Sequence, residues 1–311
     1  MDEHDDMLSH HGEDDLPGGG SAGKYPNATM RLLLERSSCR SYTDERIPAD
    51  IMKLILEAGV HAPTGGNLQP YSIIKIENKT TNKKLEKLCG EQPWIGSAAA
   101  NLLFCIDWRR SRRWAELECA PFTAFHSFRH FWISFQDTII AAQNICTAAD
   151  AMGLGSVYIG TVVDRLKEVR DLFKLPKGVF PVVLLCLGYP TRRPAPKKKL
   201  GVQAVVHDEV YREMTDEELL GAYENKYPNA GGEITEERLA TLEKVCREAH
   251  GVEFAEKCLQ TVKDRGKISM SQKYFGLHYV ANEMPRGNEE FLNMVREMGF
   301  GWFWKYEPDV K

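Results

Sequence analysis

The sequence predicts a mixed α+β or α/β domain followed by a helical extension, on three observations. Apolar runs suited to inner strands, 98–106 and 180–187, alternate with segments of helical period. One long segment, 136–152, carries apolar and small residues with few polar faces, as a helix central to a fold does. Past Lys199 the strand signals stop and charged amphipathic helices take over.

At the start, residues 1–25 combine Asp, Glu and His with the run from Pro17 to Gly23, too little apolar surface to offset ordering entropy. A flexible acidic tail is expected there. Helical patterning begins at Thr29 with Met30, Leu33 and Leu34. It resumes at Pro48, a favourable first-turn residue, with Ile51, Leu54, Ile55 and Ala58 on one face. The polar stretch 36–43 lies between these helices. Residues 71–76 read as a strand, then a lysine-rich helix runs to Leu88, and 98–106 reads as a buried strand. The helix 136–152 stops at Gly153, after which 157–163 is partly extended, 165–173 helical and 180–187 an inner strand. Helices follow at 216–223, 235–250 and 253–263. The expected division is a 1–25 tail, a 26–211 domain and a 212–311 helical extension.

Composition narrows the function. Over 311 residues, with 43% hydrophobic and 27% charged, the chain reads as globular. A net charge of −4 gives no broad basic field, so nucleic acid is not an expected partner. No run approaches the roughly 20 apolar residues of a membrane helix, and the acidic start lacks a signal peptide's pattern. Eight cysteines without a CxxC pair read as reduced thiols. A soluble, cytoplasmic protein is expected, with no membrane partner.

Four segments carry candidate chemistry. Arg36-Ser37-Ser38-Cys39-Arg40 sits where a helix stops, so guanidinium forks and hydroxyls can converge on a phosphate; a solvated helix terminus is the plain alternative. The stretch from Ala62 to Pro70 (APTGGNLQP) holds two glycines, Asn67 and Gln69, either as a simple turn or as a loop against a flat heterocycle. The glycine-rich stretch from Gly153 to Gly160 follows a helix rather than a strand, so it is no dinucleotide fingerprint. It reads as a helix stop or as a close backbone approach to a ring, with Gly155 and Gly160 leaving amides uncovered. After Gly188-Tyr189-Pro190 come Arg192, Arg193, Lys197, Lys198 and Lys199, a solvated linker or a second phosphate contact.

In their order and spacing these segments, with the D-x-x-x-A-A-Q-N helix from Asp137, resemble the nitroreductase-like FMN-dependent oxidoreductase superfamily, from Met30 to about His207. The resemblance implies an α+β (α/β sandwich) fold with a central, mostly antiparallel sheet. It implies FMN as cofactor, NADH or NADPH as electron donor, and a homodimer whose two subunits share each active site. It implies that Arg36, Ser38 and Arg40 bind flavin phosphate and ribityl oxygens, that Ser37 contributes backbone, and that Lys197 and Lys199 add a basic pair. An arginine is more usual at the second of these; lysine keeps the charge and loses the fork. Asn67 and Gln69 would meet the pyrimidine edge or ribityl chain, and Pro63, Thr64 and Gly65 would approach from the partner subunit. Tyr158, Ile159 and Gly160 would pack on the ring, the Gly160 N–H facing flavin N5. The chemistry would then be the cofactor's, with no side-chain nucleophile, and would give ping-pong kinetics. The acceptor would be a small electrophile: a nitroaromatic, quinone or activated alkene.

The same superfamily also contains flavin-consuming enzymes and a branch that removes halogen from iodotyrosine with a lid Glu, Tyr and Lys. Residues 108–136 contain Glu116 and Glu118 but neither Tyr nor Lys, which disfavours dehalogenation. A non-catalytic flavin-binding protein is a further alternative. The same segment carries Trp114, Phe122, Phe125, Phe128, Phe131 and Trp132, a lid over a planar substrate or a packing surface. His126 and His130 stand four apart without a metal-ligand motif, so no metal is expected. The aromatic terminus, 300–306, is expected to dock on the catalytic domain or across the dimer, because five exposed aromatics in seven residues would be a liability.

Overall fold

The computed structural model describes residues 25–228, 230–303 and 305–306. The expected tail, but for Tyr25, and Trp304 of the aromatic terminus lie outside the described residues.

Among the described residues one sheet of four strands forms, β1 (Tyr71–Ile76), β2 (Ala100–Asp107), β3 (Gly155–Ile159) and β4 (Val179–Gly188). Their order is β1-β2-β4-β3 and every neighbouring pair is antiparallel. The two central strands, β2 and β4, are buried at every position, which is why they read as continuous apolar runs rather than alternating ones. Pro181 sits inside central β4, where proline cannot donate to the ladder. The register shifts between Phe104 and Cys105, opposite it, which accommodates the missing donor.

Helices α1 (Ala28–Glu35), α2 (Ala49–Val60), α3 (Lys79–Leu88), α4 (Pro93–Ser97) and α5 (Trp108–Leu117) lead to the long α6 (Phe128–Ala151), and α7 (Leu166–Phe173) precedes β4. The α6 helix begins well before the expected Gln136, because the Ser127 side chain accepts from His130 N–H and caps it there. The aromatic residues Phe128 to Phe135 are therefore its first two turns. Small residues at Ala141 and Ala142, and Gly59 opposite, let α2 approach closely; a Cβ on Gly59 would stand 2.4 Å from Ile145 Cγ1. That contact sets the phase of α2, so Met52, Ile55 and Gly59 are buried while Leu54, expected on the inner face, is exposed.

The remaining helices are α8 (Asp216–Lys226), α9 (Glu236–His250), α10 (Val252–Arg265), α11 (Met270–Gln272) and α12 (Asn288–Glu297). Leu242, Cys246, Ala255, Val262 and Ile268 make a second, small core between α9 and α10. Phe300 is 0% exposed, with ring centroids 5.3 Å from Trp108, 5.4 Å from Phe131 and 5.9 Å from Phe180. The C-terminal segment thus docks into the main core, and the boundary expected at 211/212 is not a boundary of packing for Met294 to Trp302.

Candidate functional site

The segment after α1 is laid along the sheet edge. Ser38 bridges Ser156 of β3 in parallel, Cys39 N–H donates to Ser156 O at 2.8 Å, and Thr43 N–H donates to Tyr189 O at 2.8 Å. In this extended stretch successive side chains alternate, so Cys39 points into the core while Ser38 and Arg40 stay exposed. The spacing R-S-S-x-R thereby puts Ser38 and Arg40 outside and leaves Arg36 half-buried. Arg40 lies over the Trp94 ring, 5.4 Å from its centroid.

Arg36 is held rather than free. Its Nε donates to Asp150 Oδ2 at 3.1 Å and its Nη2 to Ser156 Oγ at 3.3 Å. Arg193 donates from Nη1 to the other Asp150 oxygen at 3.2 Å and from Nη2 to Leu154 O at 2.8 Å. Burial opposes the Arg36 cation, yet Cys146 and Asp150 outweigh it, and its pKa lies above the ordinary value. The Ser37 hydroxyl is spent on Pro194 O at 2.5 Å, which pins the basic segment beside the first motif.

The result is a cavity of about 600 Å³ lined by Arg36, Ser37, Ser38, Arg40, Arg192, Lys197 and Lys199. No acidic side chain lines it among the described residues. Two motifs far apart in sequence are brought to one place. Lys198 is not among them; its Nζ donates to Asn225 Oδ1 of α8 at 2.6 Å.

The second half of the expected site lies elsewhere. Gly65 N–H donates to Asp137 Oδ1 at 3.0 Å, Gln69 N–H to Thr64 Oγ1 at 3.2 Å, and Gln69 Nε2 to Val60 O at 2.9 Å. Gln69 thus ties one amide hydrogen to the end of α2. Asn67 and Gln69 adopt positive φ, +56° and +48°. Such values cost little for Asn and shape the tight loop. Gly65 lines a different cavity, of about 500 Å³, with Trp108, Trp114, Phe122 and Asp137. The two cavities share no lining residue among the described ones. Both anchors, Asp137 and Asp150, sit on α6. Thirteen residues at 1.5 Å and 100° each separate them by about 20 Å along the helix and about 140° around it. The 63–67 loop and the cation cavity of one chain therefore leave α6 in different directions.

The third piece divides. Gly155, expected to uncover an amide, is buried in β3, and a Cβ there would stand 2.6 Å from Cys39 Cβ. It is a packing glycine. Gly160 is exposed and a Cβ on it would meet nothing within 4 Å. Tyr158 donates to Gln143 Oε1 at 3.4 Å, and burial raises its phenol pKa. Of the aromatic segment, Phe125 and Phe131 pack in the core against Phe300, Trp114 and Phe122 line the second cavity, and Phe128 and Trp132 stay half exposed. The His126 ring lies 5.1 Å from that of Tyr306, tilted by 45°, and His130 pairs with Ser127, so the two histidines have separate neighbours.

Sequence reading passed over Asp150, Ser156 and Trp94. The available signal for Asp150 was an acid within the otherwise apolar and small residues of a central helix.

Comparison with known proteins decides the lineage. Residues 33–189 match the model of the nitroreductase family. The chain belongs to that family. It is 35% identical over 212 residues to an FMN reductase [NAD(P)H] of Bacillus subtilis, across 65% of this chain and 85% of that protein. It is 34% identical over 198 residues to an oxygen-insensitive NADPH nitroreductase of Salmonella typhimurium, across 64% and 80% respectively. The structure of NfrA2 from B. megaterium superposes with a TM-score of 0.65 at 27% identity, covering 91% of this chain and all of the other. NADPH:FMN oxidoreductase from Vibrio harveyi, complexed with NAD+, gives 0.66 at 25% identity, covering 88% and 99%. For this chain the structural likeness reaches beyond 33–189 into the C-terminal helices, and the α+β sandwich with its antiparallel sheet is the family's fold. No described helix is long and apolar enough to cross a membrane.

Proposed function

We propose that the chain is an NAD(P)H-dependent FMN oxidoreductase, a cytoplasmic homodimer with shared active sites that reduces a small electrophilic acceptor such as a nitroaromatic, quinone or activated alkene. The observation that carries this reading is the cation cavity. Five cationic side chains and three serines converge there without an acid among the lining residues, a donor set that fits a cofactor phosphate. The names of the relatives, FMN reductase and NADPH nitroreductase, agree with it.

Bound FMN supplies the redox chemistry, taking electrons from NADH or NADPH and passing them to the acceptor. The chain's own residues bind and orient. Arg36, held by Asp150, is a fixed phosphate contact, and Ser38, Arg40, Lys197 and Lys199 complete the cradle, with Ser37 acting through its backbone. Tyr158, Ile159 and Gly160 form the surface for the ring, the open Gly160 offering its N–H. Pro63, Thr64, Gly65, Asn67 and Gln69 reach the flavin of the partner subunit, in keeping with a loop and a cavity that diverge from α6. Leu33, Leu34, Trp132, Ile140, Val205 and Val206 are exposed apolar side chains of the kind that a second copy would cover. Residues 26–211 form the FMN-binding unit, with 212–311 its helical extension.

The test is the absorption spectrum of the purified protein and of the cofactor released on heating. Released FMN is expected; a colourless protein that fails to take up FMN would sink the reading. Double-reciprocal plots for NAD(P)H and a nitroaromatic should be parallel, and intersecting lines would rule out the ping-pong scheme. Intact FMN after many turnovers separates a reductase from a flavin-consuming enzyme.

A further inference from the structure

The geometry points to the Asp137 cavity as a binding site for a planar aromatic molecule that carries a protonated amine or another N–H donor. Its volume, about 500 Å³, suits a small-molecule ligand. Trp108, Trp114, Phe122 and Ile133 furnish flat and apolar walls. Within them Asp137 is only 4% exposed, and its Oδ2 is buried with no hydrogen-bond partner, while Oδ1 accepts from Gly65 N–H. A buried carboxylate oxygen left unpaired is costly, and a donor in the cavity is what relieves it.

Glycine at position 65 keeps a further side chain from crowding that oxygen, which is itself closed off from solvent. A Cβ there would stand 3.7 Å from Asp137 Oδ2 and 3.2 Å from Ile133 Cγ2. Of the other polar lining groups, Trp108 Nε1 donates to Ser134 Oγ at 2.9 Å and Ser127 pairs with His130 Nδ1 at 2.8 Å, while the Ser111 and Thr123 hydroxyls and Glu118 complete the polar wall. The charged lining residues apart from His130 are Asp137 and Glu118, with no Lys or Arg among the described ones. A cation is therefore favoured over an anion of the same shape, the reverse of the phosphate-fitting cavity. Burial raises the Asp137 pKa, in keeping with a carboxylate that lacks a full set of partners.

Binding at this cavity stands on the geometry alone. That its ligand is the acceptor rests on the proposed function, through the 63–67 loop that borders both the cavity and, in the dimer, the flavin. The acceptor class then narrows to amine-bearing or N–H-bearing planar electrophiles.

The experiment is a calorimetric titration of the holoprotein with 4-methylbenzylamine and 4-methylbenzoate, which share a ring and differ in charge and donor. The amine should bind about tenfold or more tightly than the carboxylate. Asp137→Asn can still accept from Gly65 N–H while turning an amide donor into the cavity, and should erase or invert the preference. Trp114→Ala, at a side chain 62% exposed, should weaken amine binding if Asp137→Asn does not fold. Equal affinities in the unmodified protein, or amine binding that both variants leave intact, would overturn the site. As acceptor-site ligand, 4-methylbenzylamine should raise the KM for a nitroaromatic and leave kcat alone; binding without competition refutes the acceptor role. A protein that binds the amine yet reduces no acceptor refutes the proposed function and not the cavity.

Discussion

Asp150 accepts hydrogen bonds from Arg36, near the start of the family-matched segment, and from Arg193, just past its end. Its own side chain is 1% exposed, and two guanidiniums face it from either side. Asp150→Asn should cost about 1–3 kcal/mol, since each arginine retains some solvent access. Urea unfolding of the flavin-free protein measures this, and a lower FMN affinity should accompany it. A variant as stable as the parent would make the two ion pairs incidental. Asp137 carries a different signature. Its folded-state pKa lies above the ordinary 3.8, so the folded chain holds that proton more tightly than the unfolded one. Its contribution to stability is present at low pH and is lost as pH rises through the window just above 3.8. Asp137→Asn should therefore be relatively more stable at neutral pH than at pH 3.8, as paired thermal melts would register.

At the level of elements, the glycine-rich stretch after α6 holds two glycines of opposite kind. Gly155→Ala should cost about 1–3 kcal/mol, because its methyl would collide with Cys39. Gly160→Ala should leave stability nearly unchanged, a contrast that chemical unfolding resolves. Equal losses would contradict the packing described. Sequence alone could not separate the two, since pattern reveals a glycine but not what stands opposite it across a sheet edge. Strands β1 and β4 and helices α3, α7, α9 and α10 were legible because their periods and end signals agree with their burial. The early start of α6 was not, because a Ser127 cap looks like any other serine until the helix forms. The phase of α2 was missed for a related reason: Gly59 reads as weakly helical, yet it is the point at which α6 presses closest.

For the whole molecule, the C-terminal segment completes the core and does not merely follow it. Backbone bonds from Gly178 N–H to Met298 O, 2.7 Å, and from Gly301 N–H to Phe125 O, 2.9 Å, fasten it beside Trp108 and Phe180. Phe300→Ala should cost about 3–5 kcal/mol. Truncation after His207 should leave a chain of poor solubility, while an unaltered melting curve would show the dock to be dispensable. That the aromatic terminus needed cover was plain from composition; Phe300 and Trp302 find it in the main core while Phe303 and Tyr306 stay exposed, and the covering surface depends on β2, β4 and α6 meeting, which no local pattern encodes. The cation cavity was readable in its members and not in its scaffolding, for Asp150 and Trp94 act only through folded neighbours.

The divergence of the two half-sites along α6 has a genetic consequence. Consider one subunit damaged at Arg36 and another damaged in the 63–67 loop, each inactive as a homodimer. In the shared-site dimer proposed above, both lesions of a mixed dimer would fall in the same active site, and the opposite site would inherit an intact cradle from one parent and an intact loop from the other. Co-expressing the two inactive chains should then restore reduction that neither shows alone.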